Sequence, residues 1–287
     1  STRCTSRRQR QMCIRDSLLF RADVIDNIQV MEDYFLVSGL LDQQGGRSSR
    51  TERTRASIDD MILTQDILSC VGLDLYFGTR FDQNSGDAGL LEKMIKYYSS
   101  AGCKQSDFYV AASEKLHEIH PGPESAHQLA VLFIGRDDLE KAAYYLQLAA
   151  SDGSLGNETR AEWYYELSIV YLARGEPCEA ISFAREALIN RDDYGKAYMA
   201  LGDAFIASRK KLGDEFHQET AYWAAADMYR AAARVDPSLA EESKEKQALC
   251  AAQFPNKEDI FFRDLQVGSN FRVEGCIREN TTIRSRD

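Results

Sequence analysis

A thirty-four-residue period constrains this chain more than any other feature of its sequence. From Ala161, the residues Tyr164, Leu167, Ser168 and Tyr171 fall on one face of a helix. Gly175 then marks a turn, and Ala180, Ala184 and Ala187 place small side chains on a second helix. Small residues are needed there because two helices that share a buried seam must approach closely. The pattern restarts at Gly195, thirty-four positions after Ala161, with Tyr198, Leu201, Gly202 and Phe205, then Ala225, Tyr229 and Ala232. It also runs upstream from Pro123 through Leu129, Ala130, Phe133, Ala142, Leu146 and Ala149. A periodic unit of two helices cannot bury its apolar face alone, so the chain is expected to stack such units into a solenoid.

The period predicts an all-α solenoid of about five helical pairs, with a C-terminal capping helix and a small β-hairpin. Residues 123–238 carry the regular repeats, and residues 18–122 carry degenerate pairs: one over 90–121, a weaker one over 57–87, and a long amphipathic helix with a partner beginning in 18–41. About eleven extra residues separate the helices of the unit that starts at Gly195, and Asp192 stands where a closing proline would be expected. Residues 239–254 (LAEESKEKQALCAAQF) read as the cap, apolar inside and charged outside. In residues 255–287, the alternating runs 270–273 and 281–284, with Gly268 and Gly275, suggest a hairpin. A lone hairpin is marginal, so it must dock on the solenoid or on a partner.

The order of small and large residues over 123–238 resembles the tetratricopeptide repeat (TPR), a thirty-four-residue helix–turn–helix unit. Residues 18–287 as a whole are similar to exported tetratricopeptide-repeat proteins of Bacteroidota. The likeness lies in 97–103 (YYSSAGC), 120–126 (HPGPESA), 194–198 (YGKAY), 222–229 (YWAAADMY) and the stretch from Phe261-Phe262 to Arg284. It implies a periplasmic or cell-envelope location and a binding role, without implying a substrate.

Residues 1–17 have no apolar periodicity, and Met12 to Ser17 (MCIRDS) resembles a translated sequencing adapter. They are read as adapter-derived or as a disordered tail and set aside. On that reading the natural start is missing, so a signal peptide would not be visible. The five arginines and one aspartate of this segment leave −14 on residues 18–287, against −10 for the whole chain. That charge argues against a general nucleic-acid partner, which needs a basic face, and no apolar run is long enough to span a membrane. Residues 45–54 (GGRSSRTERT) read as an inter-helix loop, with a frameshift in the source sequence as the alternative.

Motifs for chemistry are missing. The sequence has no GxxxxGK[ST], HExxH or GxSxG, and no dinucleotide-type GxGxxG, so no enzyme activity and no cofactor is expected. His117, His120 and His127 come closest to a metal cluster, but Pro121-Gly122 puts them at a helix end and a turn, where solvated histidines are ordinary. Paired acids such as Asp137-Asp138 suit helix starts, where they complement the dipole. Beyond residue 17 there are five cysteines and no CxxC. Cys70 and Cys103, thirty-three positions apart, could be stapled in an exported chain. If they occupy equivalent positions of successive pairs they would lie about 10 Å apart. That separation exceeds what a disulfide spans and favours two buried thiols.

In a tetratricopeptide solenoid, one side of each first helix lines the concave face. Carried onto this sequence, that face holds Glu124, His127, Val131 and Ile134; then Glu162, Tyr165, Ile169 and Leu172; then Lys196, Met199, Asp203 and Ile206. An apolar strip with a polar edge suits an extended peptide or an amphipathic helix. A clamp for a carboxylate would need lysine, asparagine and arginine there, and only Lys196 is present. The expected function is a non-catalytic interaction scaffold whose groove binds a segment of a partner protein. The alternative is a self-associating structural protein of the envelope, in which the terminal hairpin pairs with a neighbour. The strip itself has a plainer reading, as surface packed beneath that hairpin or a neighbouring helix.

Overall fold

The structure, a computed structural model, describes residues 69–286 and, ahead of them, only residues 30, 33, 34, 36, 37, 53, 57 and 58. Residues 1–17, the loop expected over 45–54 apart from Arg53, and most of the helix expected over 18–41 lie outside the described residues. The chain forms two compact units, Ser1–His120 and Pro121–Asp287.

The described part of the first unit has three helices, α1 (Cys70–Asn84), α2 (Ala88–Ser100) and α3 (Asp107–Ile119). Each starts where a short polar side chain can accept from the first free backbone amides: Ser69, Asp87 and Ser106. Leu73, Phe77, Leu91, Met94, Tyr98 and Ala112 fill the core. Within it, Asp74 accepts from the Tyr98 hydroxyl at 2.8 Å and from Ser106 Oγ at 2.6 Å, linking all three helices. Burial and the neighbouring Asp74 carboxylate push the Tyr98 phenol well above its ordinary pKa.

Cys70 and Cys103 are bonded, with Cα atoms 5.4 Å apart. The separation of about 10 Å assumed equivalent positions in successive pairs. Instead, Cys70 opens α1 and Cys103 follows the end of α2. The start of one helix and the end of the next come together at one edge of an antiparallel hairpin, which brings the sulfurs within reach.

The second unit carries the regular repeats as α4 (Pro123–Gly135), α5 (Leu139–Ala150), α6 (Asn157–Ala173), α7 (Pro177–Asn190), α8 (Gly195–Ser208) and α9 (Glu215–Val235). This is a tetratricopeptide-type α-solenoid. Pro123 and Pro177 sit in the first turn of their helices, where the missing N–H costs nothing. Gly175 ends α6 with φ +76°, and Asp137 ends α4 with φ +60°. Both turns close with the same pair of hydrogen bonds: Asp137 and Asp138 amides to Ile134 and Phe133 carbonyls, Gly175 and Glu176 amides to Leu172 and Tyr171 carbonyls. The seams are lined by fully buried alanines, Ala142, Ala149, Ala180, Ala184, Ala187, Ala225 and Ala232 among them. Gly202 of α8 lies so close to α9 that an added Cβ would stand 2.6 Å from the Tyr229 ring.

The extra residues of the last unit become helix rather than loop. After a 3-10 turn (Arg209–Lys211), α9 runs for 21 residues against 14 in α7. The added turns bring in Phe216, seven positions before Trp223 and therefore on the same face. There the hairpin docks.

Beyond α9 come α10 (Ala240–Ala251), α11 (Lys257–Phe261), and the strands β1 (Asn270–Val273) and β2 (Glu279–Thr282). The strands pair antiparallel with Asn270 opposite Thr282, and β2 begins two residues earlier than its alternation suggests. Phe271 meets the Trp223 ring edge-on at 5.5 Å, and Val273, Ile277 and Ile283 are buried against the repeats. Trp223 Nε1 donates to the Arg284 carbonyl at 2.7 Å, while the Arg284 guanidinium returns a bond to the Trp223 carbonyl at 2.6 Å and pairs with Asp227 at 3.0 Å. Arg185 of α7 pairs with Glu279 at 2.8 Å and donates to the Ile277 carbonyl. A second disulfide, Cys178–Cys276, ties the hairpin turn to the start of α7. No helix of the described residues is long and apolar enough to cross a membrane.

Candidate functional site

The first helices of the three regular pairs, α4, α6 and α8, present the positions assigned to the concave face, and their environments differ along the solenoid. On α4, Val131 is 52% exposed and Ile134 40%; on α6, Ile169 is 40% exposed. Apolar side chains this open, two on α4 and one on α6, form an unfilled surface beside the buried seams. Leu172 and Ile206 are half-buried and pack against the core.

On α8 the same register is covered. Met199 is only 7% exposed, with Ser243 Oγ of α10 at 3.4 Å from its sulfur. Asp203 accepts from the Tyr229 hydroxyl at 2.6 Å and from Lys246 Nζ of α10 at 2.6 Å. The capping helix therefore packs on α8 at the positions assigned to the concave face, and Met199 is a core residue in this arrangement. Its side chain cannot meet a partner while α10 is docked. The plainer reading of the strip thus holds for α8 through a neighbouring helix. The contacts of the hairpin fall on α7 and α9, which are second helices. Lys196, at the start of α8, stays exposed.

Polar contacts tie the open part together. His127 of α4 stacks on Trp163 at 4.7 Å between ring centroids, and its Nε2 meets Glu166 Oε2 at 2.7 Å. This histidine, a neighbour of the metal pattern considered from sequence, is thus engaged with a ring and a carboxylate. Tyr165 of α6 meets Tyr194, just ahead of α8, edge to face at 5.4 Å. Burial first, then the nearby Tyr165 and Glu162, push the Tyr194 phenol up to about 12. Tyr165 is raised too, by burial and then by Glu166, Asp203 and Glu242. Carboxylates therefore surround Tyr165, whereas the Tyr194 ring also carries the Arg191 guanidinium, 4.9 Å from its centroid. Chemically, the face offers aliphatic contact, two aromatic rings and carboxylates.

Tyr194, Glu166 and Glu242 belong to this face but escape the repeat register, which reads only the innermost positions of each first helix. Glu166 neighbours Tyr165 on α6, and Tyr194 precedes the first residue of a unit. Glu242 arrives with the cap, whose placement the register does not specify. A scan of acids within one turn of Tyr165 would have found Glu162 and Glu166.

No protein-family model matches the chain, and no curated protein matches it. Among solved structures, a crystal structure of MamA protein is similar at 20% identity and TM-score 0.42, over 64% of this chain and 91% of its own. A second crystal structure of MamA is similar at 19% identity and the same TM-score, over 64% of this chain and 97% of its own. No residue of the concave face is carried over from either.

Proposed function

We propose that this chain is a non-catalytic interaction scaffold that holds a segment of a partner protein along the open two-thirds of its concave face. The observation that carries this reading is the exposure of Val131, Ile134 and Ile169 on α4 and α6. Burying about 100 Å² of aliphatic side chain on association contributes roughly 2–3 kcal/mol before ordering costs. His127, Tyr165, Leu172 and Ile206 flank the strip, with Lys196 and Asp203 at its α8 end. We place the protein in an oxidising compartment, periplasm or cell envelope, on the support of the two disulfides among the described residues. The hairpin's docking on α7 and α9 buries its apolar face within one chain, so a self-associating alternative would have to use the outer edges of its two strands.

A photo-crosslinking residue at Ile169 tests the reading, with the same residue at Ile189, 74% exposed on a second helix, as the control. The expected result is a discrete polypeptide adduct from position 169 alone. Equal labelling at both positions, or none at 169, would overturn it.

A further inference from the structure

The open face is not merely apolar. On α6, Glu162, Tyr165, Glu166 and Ile169 succeed one another at helical spacing, so two carboxylates frame the tyrosine and the aliphatic strip continues beyond it. Tyr165 and Tyr194 form a half-buried ring pair on this side. Among the described residues no cation pairs with Glu162, and Glu166 is met through Oε2 by His127. Lys246 is committed to Asp203, and Arg191, paired with Asp193, lies over the Tyr194 ring at 4.9 Å, so the ring still open to a cation is Tyr165. Carboxylates beside aromatic faces attract a cation and repel an acid.

From this charge complementarity we infer that the occupant of the groove is a basic segment, with lysine or arginine interspersed among aliphatic residues. Its cation lies against Tyr165 between Glu162 and Glu166, and its aliphatic side chains seat on Val131, Ile134 and Ile169. Acidic chain ends are excluded by the same carboxylates. The inference rests on the proposed groove and specifies the chemistry of its partner.

The test is selection of a random peptide library of about twelve residues on the immobilised full chain, with an Ile169→Asp chain as the reference surface. The expected result is enrichment of peptides carrying lysine or arginine beside leucine, isoleucine or valine. The best synthetic peptide should bind the Glu162→Gln/Glu166→Gln chain about tenfold more weakly, which is about 1.4 kcal/mol. Its advantage should also shrink as salt rises from low to physiological strength. A Glu162→Gln chain, which leaves the His127 contact intact, should show part of the loss at unchanged melting temperature. Enrichment of neutral or acidic apolar peptides would overturn the basic-segment inference while leaving the groove in place. Enrichment indistinguishable from the Ile169→Asp surface would overturn the groove reading and this inference together.

Discussion

Helices α6 and α8 carry the same repeat positions, thirty-four residues apart, and meet opposite fates. Ile169 on α6 faces open surface, whereas on α8 Met199 is buried against α10 and Asp203, the counterpart of Ile169, is held by Lys246 of α10. The period says which side of a helix turns toward the groove; the chain downstream of the repeats decides whether that side stays open. A capping helix rich in charge can still insert itself, provided it brings partners such as Lys246 for the carboxylates it covers.

The sharpest way to break this contrast is to place a carboxylate at both kinds of position. Met199→Asp buries an unpaired charge and should cost about 4 kcal/mol, whereas Val131→Asp should change stability by about 0.5 kcal/mol or less; urea unfolding measures both. Comparable losses would mean that α10 does not cover α8. Next comes the helix crossing itself, where Ser168 and Gly202 occupy the same position of successive units. Gly202→Ala drives a methyl into the Tyr229 ring and should cost about 2 kcal/mol. Ser168, whose buried hydroxyl has no hydrogen-bond partner, points the other way: Ser168→Ala should stabilise by about 1 kcal/mol. Smaller again is the pair of turns. Asp137→Gly relieves a positive φ that Gly175 accommodates freely, and should gain about 0.5 kcal/mol in the same unfolding measurement.

A further effect is electrostatic and read by pH. Because the folded pKa of Tyr194 is raised to about 12, its neutral form is favoured by folding. That contribution is whole below the unfolded phenol's pKa near 10 and is lost as pH rises toward 12. Absorbance titration near 295 nm should show Tyr194 ionising late, and Glu162→Gln should bring it earlier. An unchanged titration would remove Glu162 from the field around the ring.

Much of the second unit was legible because its seams depend on a local rule: small residues at fixed spacing, proline at helix starts, glycine at turns. Ala180, Ala184 and Ala187 needed no knowledge of the rest of the chain. The hairpin was legible as two alternating runs, but its site was not, since docking depends on Phe216 and Trp223 sharing a face of a helix that the repeat pattern took for an insertion. The pairing of Cys178 with Cys276 was hidden for the same reason. Cys70 and Cys103 were noticed, yet the register argument placed them too far apart by treating a hairpin edge as a repeat-to-repeat distance. For the concave face, the aliphatic positions and Glu124, Glu162 and Asp203 followed from periodicity, but Glu166 and Tyr194 lie outside the register and Glu242 is brought in by the capping helix. Met199 was assigned to the open surface because nothing in the period predicts where the cap will lie.

The bond between Cys178 and Cys276 closes a covalent ring of chain around α8, α9, α10 and α11, with a sequence separation of 98 residues. A load applied at the two ends of the chain bypasses everything inside that ring and passes directly from the hairpin turn into the start of α7. The last repeat and its cap are thereby shielded from tension, holding in reserve about 330 Å of extensible chain that only a reductant releases.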